Sequence, residues 1–109
     1  MAPSHKPRFC ARIHLQHPLT GEYHHYRIPL QDLSLTGAFI EDDLPLSVGQ
    51  TFPLTIWLNE SEPIEVEAIV RRVYRGHGVG VEFVGMSHPD SARLREFLTA
   101  AKAHTAKSA

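Results

Sequence analysis

The chain has little cysteine, few aromatic residues and no long apolar run, and each shortage excludes something. A single cysteine, Cys10, allows no intrachain disulfide and no cysteine-based zinc site. No apolar stretch approaches the ~18 residues of a membrane-spanning helix. The first eight residues, Met1-Ala-Pro-Ser-His-Lys-Pro-Arg8, are polar and lack the apolar centre of a signal peptide. Aromatic residues make up 8% of the chain and charged residues 21%, against 42% hydrophobic residues, a globular balance rather than a disordered one. At 109 residues the length fits one domain with one core. A cytoplasmic protein with no membrane span is the expectation.

Positive charge is also scarce where a polyanion binder would need it. The net charge is -1, with residues 1–30 carrying +3, residues 31–70 carrying -8 and residues 71–109 carrying +4. Affinity for duplex nucleic acid rests on many phosphate contacts, which this balance does not supply. A small barrel binding single strands would need a basic groove lined with exposed aromatics, and the acidic middle third speaks against it. No DNA or RNA partner is expected. A small anion held by a few local arginines fits the charge pattern better.

Between a polar arm (residues 1–11) and a frayed, disordered tail (104–109), hydrophobic residues recur mostly every second position. Ile13 and Leu15 alternate with polar neighbours, and His17 to Gly21 supplies turn chemistry. Tyr23 to Leu30 reads as a second strand, with Pro29 marking an edge or a bulge. Ala38 to Glu41 gives a short third strand. Phe52, Leu54, Ile56 and Leu58 define one face of a fourth, and Ile64, Val66, Ala68 and Val70 one face of a fifth. Arg71-Arg72 breaks that alternation and predicts a bulge before Val73. After Arg75-Gly-His-Gly78, residues Val79, Val81 and Phe83 form a sixth strand. Ser87-His-Pro-Asp90 is a helix-capping signal with proline in the first turn, and Leu94, Phe97, Leu98 and Ala101 follow at helical spacing. The pattern predicts a six-stranded antiparallel β-barrel with a C-terminal helix laid against it, over residues 12–103.

Two short patterns carry chemistry. Arg8-Phe-Cys-Ala-Arg12 sets two guanidiniums four residues apart, just before the first strand. Asp32-Leu-Ser-Leu-Thr-Gly37 sets a carboxylate and a hydroxyl two apart, on one face of extended chain, so that Asp32 and Ser34 would present their oxygens together. Gly37 would allow a tight turn or a close backbone approach. Arginine donates paired bonds to phosphate and to guanine O6 and N7, and a carboxylate accepts from guanine N–H groups. RxxxR followed about 20 residues later by DxSxxG resembles the signature of PilZ domains, bacterial receptors for cyclic di-GMP. Gly78-Val-Gly-Val-Glu-Phe83 is similar to that family's closing strand, and the resemblance runs from Arg8 through the helix.

The resemblance implies a PilZ-like split barrel and a role in bacterial signalling, such as biofilm or motility regulation. It implies that Arg8 and Arg12 clamp phosphates and guanine edges of cyclic di-GMP, that Asp32 and Ser34 contact a guanine, and that Gly37 shapes the turn beside them. Many members carry a further arginine directly before RxxxR; here Pro7 stands there. The ligand would then order the arm, and an unidentified protein effector would read the result, with the chain a monomer or weak dimer. The alternative is a PilZ-like protein-interaction module that does not bind nucleotide.

Other features have plainer readings. His14, His17, His24 and His25 fall on two strands that pair as a hairpin. Adjacent His24 and His25 point to opposite faces, so no metal site is expected. Ser34, Asp32 and a histidine make a triad only on paper, since no nucleophile-elbow motif accompanies them. Neither enzyme activity nor a cofactor is expected. Trp57 lies out of phase with the buried row of its strand, and either packs under the helix or serves as an exposed anchor for a partner. Cys10 fills space or, if exposed between two cations, is a reactive thiol.

Overall fold

The alternating segments close into a barrel. The structure, a computed structural model, describes residues 13–24, 26–59 and 61–108, with side chains except those of Gln16 and 102–108. Six strands follow one another: β1 (Ile13–Tyr23), β2 (Tyr26–Leu33), β3 (Gly37–Ile40), β4 (Thr51–Trp57), β5 (Pro63–Tyr74) and β6 (Gly78–Met86). A single helix, α1 (His88–Ser108), ends the chain. The strands pair antiparallel in the cyclic order β1-β2-β3-β6-β5-β4. Closure of this kind buries the inward half of each alternating strand and leaves the outward half to solvent.

The inward rows are those that the period of two marks. Phe52, Leu54 and Ile56 of β4, Ile64, Val66, Ala68 and Val70 of β5, and Val79 and Val81 of β6 are all buried. They meet Ile28, Leu30 and Leu33 of β2 and Ala38 and Ile40 of β3 in one core. Leu94 of α1 is fully buried in the same core, with Phe97 and Leu98 packed against it. The β5–β6 register shifts between Val70 and Arg72, the bulge that the Arg71-Arg72 pair predicts. Arg71 there turns outward and its Nε donates to Glu82 Oε1 at 2.6 Å.

Three boundaries differ from expectation. The first strand does not turn at His17–Gly21 but runs on to Tyr23, and the hairpin turns at residues 24 and 25, where His24 takes a positive φ of 50°. Of the expected turn residues, His17 and Pro18 fall in an irregularity, because the β1–β2 register shifts between His14 and Leu19, whereas Thr20 and Gly21 pair regularly with β2 and β4. The second strand accordingly starts at Tyr26 and extends to Leu33. Pro29 sits inside a closed barrel and not at an edge. Its carbonyl accepts from the Glu41 amide, one residue past the end of β3, so its missing N–H falls where the neighbouring strand has finished. At the other end, α1 continues through Ser108 rather than fraying after Ala103, in keeping with the helix-favouring alanines and lysines there.

The helix start follows its capping signal. Ser87 Oγ accepts from the Asp90 amide at 3.2 Å, and the Ser91 amide donates to the Ser87 carbonyl. Asp90 does not return the bond as in a full capping box. Its carboxylate accepts from the Glu65 amide at 3.0 Å and from Arg93 Nη2 at 2.5 Å, stitching α1 to β5. The Glu65 amide first, and Arg93 second, hold the Asp90 carboxyl below the usual carboxylate range. A depressed carboxyl contributes stability above its unfolded-state pKa of about 3.9 and loses it as pH falls through the folded value. Thermal melts of wild type and Asp90→Asn should therefore differ most near neutral pH and converge in acid, once the folded-state carboxyl has taken up its proton. Parallel curves across the whole range would remove Asp90 as the acid-sensitive tie between helix and barrel.

Candidate functional site

Asp32 lies near the end of β2, between buried Leu33 and the outer surface, with 24% of its side chain exposed. Strand register places it in a row across the barrel's outside. His14 of β1 is its partner on one side and Phe39 of β3 on the other; Phe39 pairs with Gly80 of β6, and Gly80 with Arg72 of β5. Gly80 contributes no side chain to this row and a Cβ there would meet only Arg72, so the surface dips between Phe39 and Arg72. Beside it, Asp32, Phe39, Tyr74 and His77 border an open hollow of about 320 Å³. The Phe39 and Tyr74 rings stand 5.9 Å apart at 58°. Phe39 can lie there because Gly78 has no Cβ, which would stand 2.7 Å from its ring.

Such a hollow combines an acceptor-only carboxylate with two aromatic rings and an imidazole, a set suited to a flat heterocycle that donates N–H bonds along one edge. Arg72 and Arg75 are exposed on the end of β5 and its turn, so the same row carries positive charge at its far end, across Phe39 and Gly80 from Asp32. Among the described residues, no group of three or more histidine, cysteine, aspartate or glutamate side chains converges as a metal site.

Ser34 is placed differently from its expected role beside Asp32. β2 ends at Leu33, so the alternation that would carry Ser34 to the same face stops one residue short. Ser34 is only 5% exposed. Its Oγ accepts from the amides of Thr36 at 3.2 Å and Gly37 at 3.1 Å, and its own amide donates to the Gly37 carbonyl at 2.9 Å. The hydroxyl is the centre of the turn that joins β2 to β3. Gly37 shows the close approach expected of it, since a Cβ would run into the Val81 carbonyl of β6. The Phe83 amide ties the same turn to β6 by donating to the Thr36 carbonyl at 2.7 Å.

Arg8, Arg12 and Cys10 lie outside the described residues, as does the arm over residues 1–11; β1 begins directly after Arg12. Phe39, Tyr74, His77 and His14 join the site only through cross-strand register, which no local motif signals. Trp57 is half-buried and borders a separate hollow of about 400 Å³ with residues of β1, β2 and the loop after β4, among them Pro18, Arg27 and Asn59, none from α1.

With this geometry in place, the family is plain. Residues 5–100 match the PilZ domain family, and the chain belongs to it. Its fold is similar to that of the Bacillus subtilis inhibitor of motility MotI/DgrA, with a TM-score of 0.75 and 21% identity over 95% of this chain and 57% of that one. It is similar to MrkH of K. pneumonia, solved as a complex with c-di-GMP, with a TM-score of 0.81 and 15% identity over 100% of this chain and 57% of that one. The PilZ domain of CeSA from a cellulose-synthesizing bacterium aligns with a TM-score of 0.60 and 16% identity, over 84% of this chain and 98% of that domain. This chain therefore spans somewhat over half the length of MotI/DgrA and of MrkH. No curated protein matches it in sequence. No helix among the described residues is long and apolar enough to cross a membrane.

The turn geometry separates stability from binding. Ser34→Ala leaves two amides without their acceptor and should destabilise the barrel by about 1–3 kcal/mol. Gly37→Ala, meeting a backbone carbonyl, should cost a similar ~1–3 kcal/mol. Asp32→Ala, on the outer face, should leave the denaturant midpoint close to wild type. A midpoint unchanged by Ser34→Ala would overturn the structural role given to its hydroxyl.

Proposed function

We propose that this PilZ domain is a receptor for cyclic di-GMP, with no catalytic activity of its own. The observation that carries the reading is the outer-face position of Asp32, bordering a hollow walled by Phe39, Tyr74 and His77. Guanine presents a ring N–H and an exocyclic amine side by side, and a carboxylate accepts both. The hollow has room for one purine base, while the rest of a cyclic dinucleotide would lie outside it over the barrel. The phosphates then need cations. Arg12 directly precedes β1, and Arg8 is at most about 14 Å of extended chain further back, so both guanidiniums come within reach of a ligand lying across Asp32. Ser34 and Gly37 serve the ligand by holding the β2–β3 turn that carries Asp32. Family membership and the fold likeness to MrkH, whose structure contains c-di-GMP, support the same reading.

The signal passes on through the arm. Fixing backbone costs about 1–2 kcal/mol per residue, so a ligand held by so few contacts orders only a short stretch, residues 6–12. Arm and nucleotide together then form a surface that a protein effector recognises, while the barrel stays as it is.

Calorimetric titration with cyclic di-GMP tests the clamp. Arg8→Ala and Arg12→Ala should each lose about 2 kcal/mol of binding free energy, roughly thirtyfold in affinity, with the fold intact. Asp32→Ala should bind more weakly and discriminate less between cyclic di-GMP and cyclic di-AMP. Wild-type affinity in both arginine variants would sink the clamp, whereas no binding by the wild type would leave the interaction module that does not bind nucleotide in its place.

The relay has its own measurement. On adding cyclic di-GMP, amide hydrogen exchange should slow over residues 6–12 and 32–37. Uniform slowing across the barrel, or none before residue 13, would show that ligand acts by global stabilisation or at another site.

A further inference from the structure

Asp32 is gripped from one side only. On the arm side of the β1 irregularity, β1 and β2 share two residue pairs, Ile13 with Leu33 and His14 with Asp32. Beyond His14, residues 15–18 of β1 stand against residue 31 alone before register resumes at Leu19 and Leu30. Ile13 and Leu15 turn toward the core, so His14 faces outward, with 71% of its side chain exposed. Its Nδ1 lies 2.8 Å from Asp32 Oδ1. An ionised carboxylate only accepts, so the proton sits on Nδ1 and the imidazole donates. The hollow opens on the other side of Asp32, toward Phe39, Tyr74 and His77, and His14 is not part of its wall. The imidazole holds the carboxylate without covering it.

Building on the receptor reading above, we propose that His14 is a positioning residue for cyclic di-GMP, which fixes Asp32 through Oδ1 and leaves Oδ2 turned to the guanine edge. A free aspartate side chain occupies several rotamers, and binding must select one at an entropic cost; His14 makes the selection before ligand arrives. The same contact pins the first residues of β1, the root from which Arg12 extends. The grip depends on protonation. Imidazolium always carries hydrogen at Nδ1, whereas neutral imidazole does so in one tautomer only. Ligand affinity therefore rises as His14 gains its second ring proton. The titratable groups facing Asp32 are His14 from β1, with Tyr74 of β5 and His77 of the following turn across the hollow; β3 contributes only Phe39.

The test is calorimetry of cyclic di-GMP binding near pH 6 and near pH 8 with three proteins: wild type, His14→Ala and His14→Asn. The asparagine amide can donate near the Nδ1 position but does not titrate. His14→Ala should bind about threefold to tenfold more weakly, and His14→Asn should recover most of that loss while showing less pH dependence than wild type. His77 is present in all three, so the difference between wild type and His14→Asn isolates His14. Equal or tighter binding by His14→Ala, no recovery in a folded His14→Asn, or an unchanged pH profile in that variant overturns the proposal. A ligand-free readout separates this from the receptor reading. The His14 imidazole resonances, followed by NMR through a pH titration, should move on Asp32→Asn; if they do not, the pair itself is wrong. Absence of cyclic di-GMP binding by wild type, with the pair intact by NMR, overturns the receptor reading and takes the ligand role of His14 with it.

Discussion

Closure of this barrel depends on β3 coming within backbone contact of β6. The strand has only four residues, Gly37–Ile40, yet it is the sole link between β2 and β6 in the ring. So short a strand cannot hold its place by ladder bonds alone. It is anchored at its start by the Ser34 hydroxyl, by the Phe83 amide on Thr36, and by a glycine that lets the chain press against the Val81 carbonyl. Everything on the outer face that concerns function is measured from this strand. Phe39 is opposite Asp32 on one side and Gly80 on the other because β3 is in that register and no other. A slip by one residue would turn Phe39 into the core and Ala38 or Ile40 out to solvent.

The core was legible in the sequence because burial and period agree: the rows of β4 and β5 alternate without interruption, and all seven of their inward residues from Phe52 to Val70 are buried. The Arg71 bulge and the Ser87 cap were legible for the same reason, each being a local rule written in adjacent residues. Pro18 and Gly21, ordinary turn formers, point to the wrong place for the hairpin: Pro18 falls in a strand irregularity and Gly21 pairs regularly on both sides, while the real turn uses His24 in a conformation that histidine adopts less readily than glycine. Asp32 and Ser34 were expected on one face because nothing in Leu33-Ser34 announces that the strand stops there. The aromatic wall and the His14 contact were not legible at all. They arise from which strand lies beside which, and nothing in residues 15–18 announces the β1 irregularity beyond which His14 stands level with Asp32.

Strength and sensitivity are divided between the two sides of the barrel wall. Inside, the core is packed with aliphatic and aromatic side chains, and among the described residues Ser34 at the rim is the buried residue of polar type. Outside, the groups that face the hollow are exposed or half-exposed and belong to four structural contexts: the end of β2, β3, the end of β5 and the turn after it. Substitutions there should have little effect on folding, and a rigid scaffold holds the groups to a geometry that loops alone would not keep.

A closed ring also limits how this domain can hold on to other proteins. Open sheets offer their last strand as a template, and many regulatory contacts form by adding a strand from the partner to that edge. Here each strand is already paired on both sides, so the ring has no last strand to offer. Recognition by main-chain pairing is thereby confined to the β1–β4 seam, where residue pairs run only over Thr20–Glu22 and Thr55–Trp57, and elsewhere the tolerance for sequence that such pairing brings is lost. Whatever docks elsewhere on the barrel must read side chains and shape, which ties its selectivity to individual residues of the outer face.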